Sequence, residues 1–96
     1  MNELTEAQKE RLIMLAEEAG EVIQAVGKIL RHGYNSCHLD NDDISNRLDL
    51  VRELDDLNAI IGEMVKKGDI MYGYNKELFN AVWKRKLKYT HYQDNS

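Results

Sequence analysis

The chain has 96 residues, a single cysteine, no proline and a net charge of −4. That length holds one small domain, and 43% hydrophobic against 31% charged residues excludes a disordered chain. The lone Cys37 excludes a disulfide framework and a cysteine-based zinc site, and the acidic balance argues against a general nucleic-acid binder.

No apolar run approaches the ~18 residues that would span a bilayer. The polar, acidic start lacks the charged-then-apolar pattern of a secretion signal. The expectation is a reduced, cytoplasmic protein with neither a membrane nor a nucleic-acid partner. A proline-free chain rich in Leu, Ile, Ala, Glu and Lys predicts an all-α fold. Its charge is uneven: residues 1–26 carry Lys9 and Arg11 against six glutamates, and residues 76–96 carry five Lys/Arg against Glu77 and Asp94.

In chain order, Thr5 followed by Gln8 has the form of a capping box, which predicts a helix start near residue 5. Leu12, Leu15, Ala19, Val22, Val26 and Ile29 then keep a helical period as far as Arg31-His32-Gly33, with Gly33 as the stop. Gly20 and Gly27 lie on one side of this helix, and mark either a close backbone approach or tolerated glycines. Residues 33–43 read as a loop by turn chemistry, either a lid or an idle insertion.

A second helix is predicted from about Asp42 to Ser45 through Lys66-Lys67, with Gly68 just past it. After a break at 68–75, a third runs from about Asn75 to Tyr89 on Leu78, Phe79, Val82 and Leu87. The whole chain, 1–96, is one domain with its core at about 5–90 and a frayed tail at 91–96. Three such helices make a small core, and the first is apolar over more than half its circumference. The prediction is a small bundle of three main helices completed by homo-oligomerisation, as a dimer or a dimer of dimers.

Chemistry enters with two acidic clusters. Glu17, Glu18 and Glu21 fall within an arc of about 100° on a helix, and Glu53 and Asp56 fall about 60° apart. Glu53 shares its face with Leu50, Leu57, Ile60, Ile61 and Met64, and Glu18 shares its own with Leu15, Val22, Ala25 and Ile29. A carboxylate carried into a helix–helix seam needs a compensating charge. Apart from Lys28, on the Glu17/Glu21 flank with Gln24, neither seam offers a basic residue in register. Converging carboxylates short of cations point to a metal, and hard oxygen ligands suit Mg²⁺ or Mn²⁺.

Glu17-Glu18-x-x-Glu21 followed by Glu53-x-x-Asp56 resembles the EExxE…ExxD signature of the MazG-like nucleoside triphosphate pyrophosphohydrolases, an all-α superfamily that includes dimeric dUTPases. The likeness covers roughly residues 10–67, and the C-terminal helix only loosely. The resemblance implies Mg²⁺-dependent cleavage between the α and β phosphates of a nucleoside triphosphate, in nucleotide-pool housekeeping. It implies Glu18, Glu21, Glu53 and Asp56 as metal ligands, and Glu17 as the catalytic carboxylate that orients the attacking water or holds a further metal. The segment 22–52 between the motifs is longer than is usual in the family, with the 33–43 loop absorbing the excess. Asp55 and Asn58 stand where smaller or apolar residues are usual.

Cations for a triphosphate are expected from the basic C-terminal segment, with Lys84 and Lys88 one turn apart and Lys28 near the acids. The same lysines also suit a solvated face at a helix C-terminus. Trp83, Tyr34, Tyr72, Tyr74 and His32 are able to stack on a base, and Trp83 equally suits a core or an interface. His32 and His38 are not spaced as a metal pair. The alternative to an enzyme is a non-catalytic helical protein-interaction module, its acids solvated and the apolar face of its first helix holding a partner. A carboxylate-bridged redox bundle fits less well, because it calls for Glu-x-x-His pairs and the chain has none.

Overall fold

The computed structural model describes residues 3–38 and 41–93. Three helices dominate: α1 (Glu6–His32), α2 (Asn46–Lys66) and α3 (Lys76–Leu87). A small antiparallel hairpin, β1 (Cys37–His38) with β2 (Asn41–Ser45), lies between the first two. The all-α expectation holds for the main elements, while this hairpin takes up the later part of the stretch read as plain loop and the residues at which the second helix was expected to begin, α2 starting at Asn46. Of the tail expected to fray, residues 91–93 are bends beyond α3, and 94–96 lie outside the described residues.

Each helix starts on a side-chain cap. At α1 the Gln8 amide donates to Thr5 Oγ1 (3.1 Å) and the Thr5 amide donates to Gln8 Oε1 (2.8 Å), a reciprocal capping box. Ser45 accepts from the Leu48 amide at α2, and Asn75 accepts from the Leu78 amide at α3. The ends are equally local. Gly33 stops α1 at φ 87°, its amide donating to Ile29 O (2.7 Å). Past α2, Gly68 takes φ 81° while the Asp69 amide reaches Met64 O and the Gly68 amide reaches Val65 O, the paired bonds of a Schellman stop.

α1 packs on α2, and two polar clamps make the pair antiparallel. At one end Asn46, buried at the start of α2, donates from Nδ2 to Gly33 O (3.1 Å), and its amide reaches Ser36 O (2.8 Å). At the other, Arg11 holds Asp69 through Nε–Oδ2 (2.6 Å) and Nη2–Oδ1 (3.0 Å). That bidentate pair pulls the Asp69 carboxyl below its ordinary range, chiefly through the Arg11 hydrogen bond. Neither Gly20 nor Gly27 marks a close approach within the chain: a side chain at Gly20 would meet nothing within 4 Å, and one at Gly27 only Arg31 Nη1.

The core is thin. Ala25 and Met64, each 2% exposed, are the only fully buried hydrophobic residues among those described. α3 has no packing comparable to that of α1 on α2 and stands off as an arm. The radius of gyration is accordingly 16.9 Å, against about 13 Å for a compact domain of 100 residues. The three helices do not close a bundle within one chain.

Two stability predictions follow from the clamps. Asn46→Ala leaves the Gly33 carbonyl unpaired, and should cost about 1–3 kcal/mol in a urea melt; an unchanged midpoint would mean that Asn46 does not staple the connection. Because the folded-state pKa of Asp69 is depressed, its stabilisation is complete above the ordinary carboxylate range and is lost as pH falls through the lowered value. Asp69→Asn should therefore melt lower than the parent near neutrality, with the gap narrowing at acid pH; a gap that does not change with pH would contradict this.

Candidate metal centre

The seam between α1 and α2 carries the acids. Glu18, Glu53 and Asp56 come together there, each with a carboxylate oxygen within 4.8 Å of the others. Periodicity explains the meeting. Glu18 follows Leu15 and precedes Val22 and Ala25 on the packed side of α1, while Glu53 sits between Leu50 and Leu57 on the packed side of α2. Glu18 and Glu53 are half-buried; Asp56, about 60° round from Glu53, is exposed at the lip.

Glu53 feels this placement most. Burial pushes its carboxyl above the ordinary range, and the neighbouring charges of Glu21, Asp49, Asp56 and Glu18 push it the same way. Among the described residues, no Lys, Arg or His forms an ion pair with Glu18, Glu53 or Asp56. The nearest compensation is one turn away, where Lys28 Nζ stands 3.6 Å from Asp49 Oδ2 across the seam.

This donor set suits a small divalent ion. Octahedral Mg²⁺ at about 2.1 Å from its ligands places ligand oxygens about 3.0 to 4.2 Å apart. The triad's 4.8 Å spread reaches that range with small side-chain rotations. A cation would also relieve the charge that raises Glu53.

The other expected site residues are distributed differently. Glu21, exposed, stands outside the triad, yet it acts on Glu53 more strongly than any other charge. Glu17 is exposed, about 100° from Glu18, and is not gathered with the triad. Lys28 is engaged by Asp49 and is not free beside the triad. Lys84 and Lys88 are exposed on the arm, and α3 does not bring them onto the α1–α2 pair of their own chain. Tyr72, Tyr74 and Trp83 gather with Leu78, Phe79 and Val82 around an open cleft of about 500 Å³ on the arm. Tyr34 instead lies under the Arg47 guanidinium, 4.4 Å from ring centroid to Cζ, and His32 is exposed at the end of α1.

Asp49 was missed as a sequence candidate. It lies about 40° from Glu53 on the same helix, and it contributes to the acidic field while tying down Lys28. The signal was its one-turn spacing before Glu53.

The fold and site together define a small, three-helix, all-α protein with an acidic triad in its one long helix seam; no helix among the described residues is long and apolar enough to cross a membrane. Comparison with protein-family models, curated proteins and solved structures finds no match to this chain.

The raised Glu53 carries a stability consequence with a definite sign. A carboxyl whose folded pKa lies above its unfolded value destabilises the fold where it is ionised, and that cost fades as pH falls. Glu53→Gln should therefore raise the melting temperature in EDTA near neutral pH. Mn²⁺ should then raise the melting temperature of the parent and leave that of Glu53→Gln nearly unchanged. A Mn²⁺ shift of equal size in both proteins would place the ion elsewhere.

Proposed function

We propose that the chain is a MazG-like nucleoside triphosphate pyrophosphohydrolase that uses Mg²⁺, with Mn²⁺ as a substitute. Water attacks the α phosphorus, the bond to the bridging oxygen breaks, and the products are the nucleoside monophosphate and pyrophosphate. The observation that carries this reading is the convergence of Glu18, Glu53 and Asp56, from two motifs far apart in sequence, on one seam with no basic partner among the described residues. A divalent ion bound there supplies charge neutralisation for the phosphates and acidifies a bound water.

The chain's own groups then have distinct parts. Glu18, Glu53 and Asp56 hold the ion, and Glu21 adds a carboxylate at the edge. Glu17, on the exposed rim, accepts or orients the proton of the attacking water, which requires its side chain to swing toward the triad. Lys28 reaches the phosphates by exchanging Asp49 for a phosphate oxygen. Lys84 and Lys88 take the same role only if the arm of another chain brings them there, and a homo-oligomer, dimer or dimer of dimers, is part of the proposal. Nucleotide-pool housekeeping in the cytoplasm is the setting that suits this chemistry.

A second reading, a non-catalytic helical interaction module, rests on the exposed apolar residues of α1, Ile23 and Leu30 foremost among them. One assay separates the two. A panel of ordinary, deoxy and modified nucleoside triphosphates is incubated with Mg²⁺ or with EDTA, and pyrophosphate and orthophosphate are read separately. The enzyme reading expects pyrophosphate only, abolished by EDTA, with Glu53→Gln reducing kcat/KM by about 100-fold or more. No turnover on any nucleotide, with no thermal shift from Mg²⁺ plus nucleotide, would replace it with the interaction module.

A further inference from the structure

Charge and aromatic side chains are spread unevenly along this chain. Residues 1–70 hold eight Lys/Arg against fifteen Asp/Glu, and residues 71–96 hold five against two. The net charge of −4, which argues against a general nucleic-acid binder, is therefore the sum of an acidic layer and a basic arm. The same stretch, 71–96, carries six of the seven Phe, Trp and Tyr residues. All six are exposed, from Trp83 at 41% to Tyr92 at 96%. Four of them, Tyr72, Tyr74, Phe79 and Trp83, line the open cleft of about 500 Å³. Within it Tyr74 and Phe79 are tilted at 48°, their ring centroids 6.0 Å apart.

Three cations share the aromatic side of α3. On the helix wheel Lys86 lies about 20° from Phe79, Lys76 about 20° from Trp83, and Arg85 about 20° from Leu78. Glu77, the one acid of α3, lies about 160° from Phe79, on the far side with Lys84 and Lys88. Lys76, Arg85 and Lys86 are exposed, and none of them forms an ion pair among the described residues. Rings and unpaired cations thus lie side by side on one face of the arm.

We propose that this side of the arm binds single-stranded nucleic acid, its bases stacking on the exposed rings and its phosphates bonded to Lys76, Arg85 and Lys86. Each nucleotide brings one planar face and one negative charge, the two features that the arm presents together. α3 is about 18 Å long, which gives room for roughly five nucleotides at a spacing of about 3.4 Å. Binding is tolerant of sequence, because every base has a ring face to stack. The other anionic partners fit less well. A duplex keeps its base faces stacked on one another, and an acidic peptide matches the charge but supplies no planar faces for the rings. A bilayer that took up the aromatic side would draw Lys86, in the middle of that side, toward hydrocarbon. The proposal does not rest on the pyrophosphohydrolase reading, and would hold for a non-catalytic protein.

Trp83 is the single tryptophan of the chain and lines the cleft, so its fluorescence reports on this site. The test titrates the full chain, in EDTA to keep cations off the triad, with an oligothymidylate of about 15 nucleotides, longer than the footprint. Trp83 emission should be quenched to saturation. The logarithm of the affinity should fall with the logarithm of salt concentration at a slope of about −2, as three phosphate contacts on a single strand require. Arg85→Ala/Lys86→Ala should weaken binding about tenfold or more and flatten the slope to about −0.7. Lys84→Ala/Lys88→Ala removes the same charge from the other side of α3 and should change the affinity by less than about threefold. Alanine favours the helix, so both double variants should keep their circular dichroism. Absence of quenching, or an equal loss in the two double variants, would overturn the proposal. So would equally tight binding of a duplex of the same length, of thymidine monophosphate, of an oligoglutamate or of phosphatidylserine vesicles, each of which would assign the face to that class of ligand instead.

Discussion

The packing of α1 on α2 positions everything else in this molecule, and it does so at an electrostatic cost. The seam is long enough to be the chain's main apolar contact, yet Glu18 and Glu53 lie within it, and no basic side chain among the described residues pairs with them. Burial and four neighbouring carboxylates drive Glu53 up. Half-buried carboxylates side by side do not strengthen so thin a core, and apolar residues at the same positions would pack better. The polar clamps at the two ends, Asn46 on Gly33 and Arg11 on Asp69, hold the helices in the register that brings the acids together.

Much of this was legible in the sequence because it is local or periodic. The Thr5–Gln8 box, the Gly33 stop and the start of α2 near Ser45 are decided within a few residues. Helix periodicity put Glu18 and Glu53 in apolar stripes that had to face something, whereas the set Glu18, Glu21, Glu53 and Asp56 came from the resemblance, and the structure gathers three of those four. The hairpin at 37–45 was hidden because its Asn- and Asp-rich sequence has the chemistry of a turn, and its backbone pairing depends on how α1 and α2 are joined. Arg11 and Asp69, 58 residues apart, carry no mutual signal in sequence. Periodicity placed Glu17 and Lys28 on the right flank, but not the partner that Lys28 takes in Asp49.

The arm is where sequence and structure meet least. Lys84 and Lys88 are one turn apart as expected, but they lie about 80–180° round the helix from Leu78, Phe79, Val82 and Trp83. A partner that covers that apolar side meets Arg85 and Lys86 first, since these border it or continue it. The basic arm and the acidic start of the chain do not meet in one chain, since α3 has no packing on the layer comparable to that of α1 on α2. The two faces of the α1–α2 layer are thus unlike: one carries exposed apolar side chains such as Ile23 and Leu30, the other Glu17, Glu21 and Asp56.

The claim on which the account depends is that the triad is a divalent-cation site. Crystals grown with Mn²⁺ and measured at a wavelength where manganese scatters anomalously test it without any assumption about substrate. The account predicts an anomalous peak between Glu18, Glu53 and Asp56, at about 2.1–2.2 Å from a carboxylate oxygen of each. A well-diffracting, Mn²⁺-containing crystal with no peak there, or with its peak at other carboxylates alone, would contradict it.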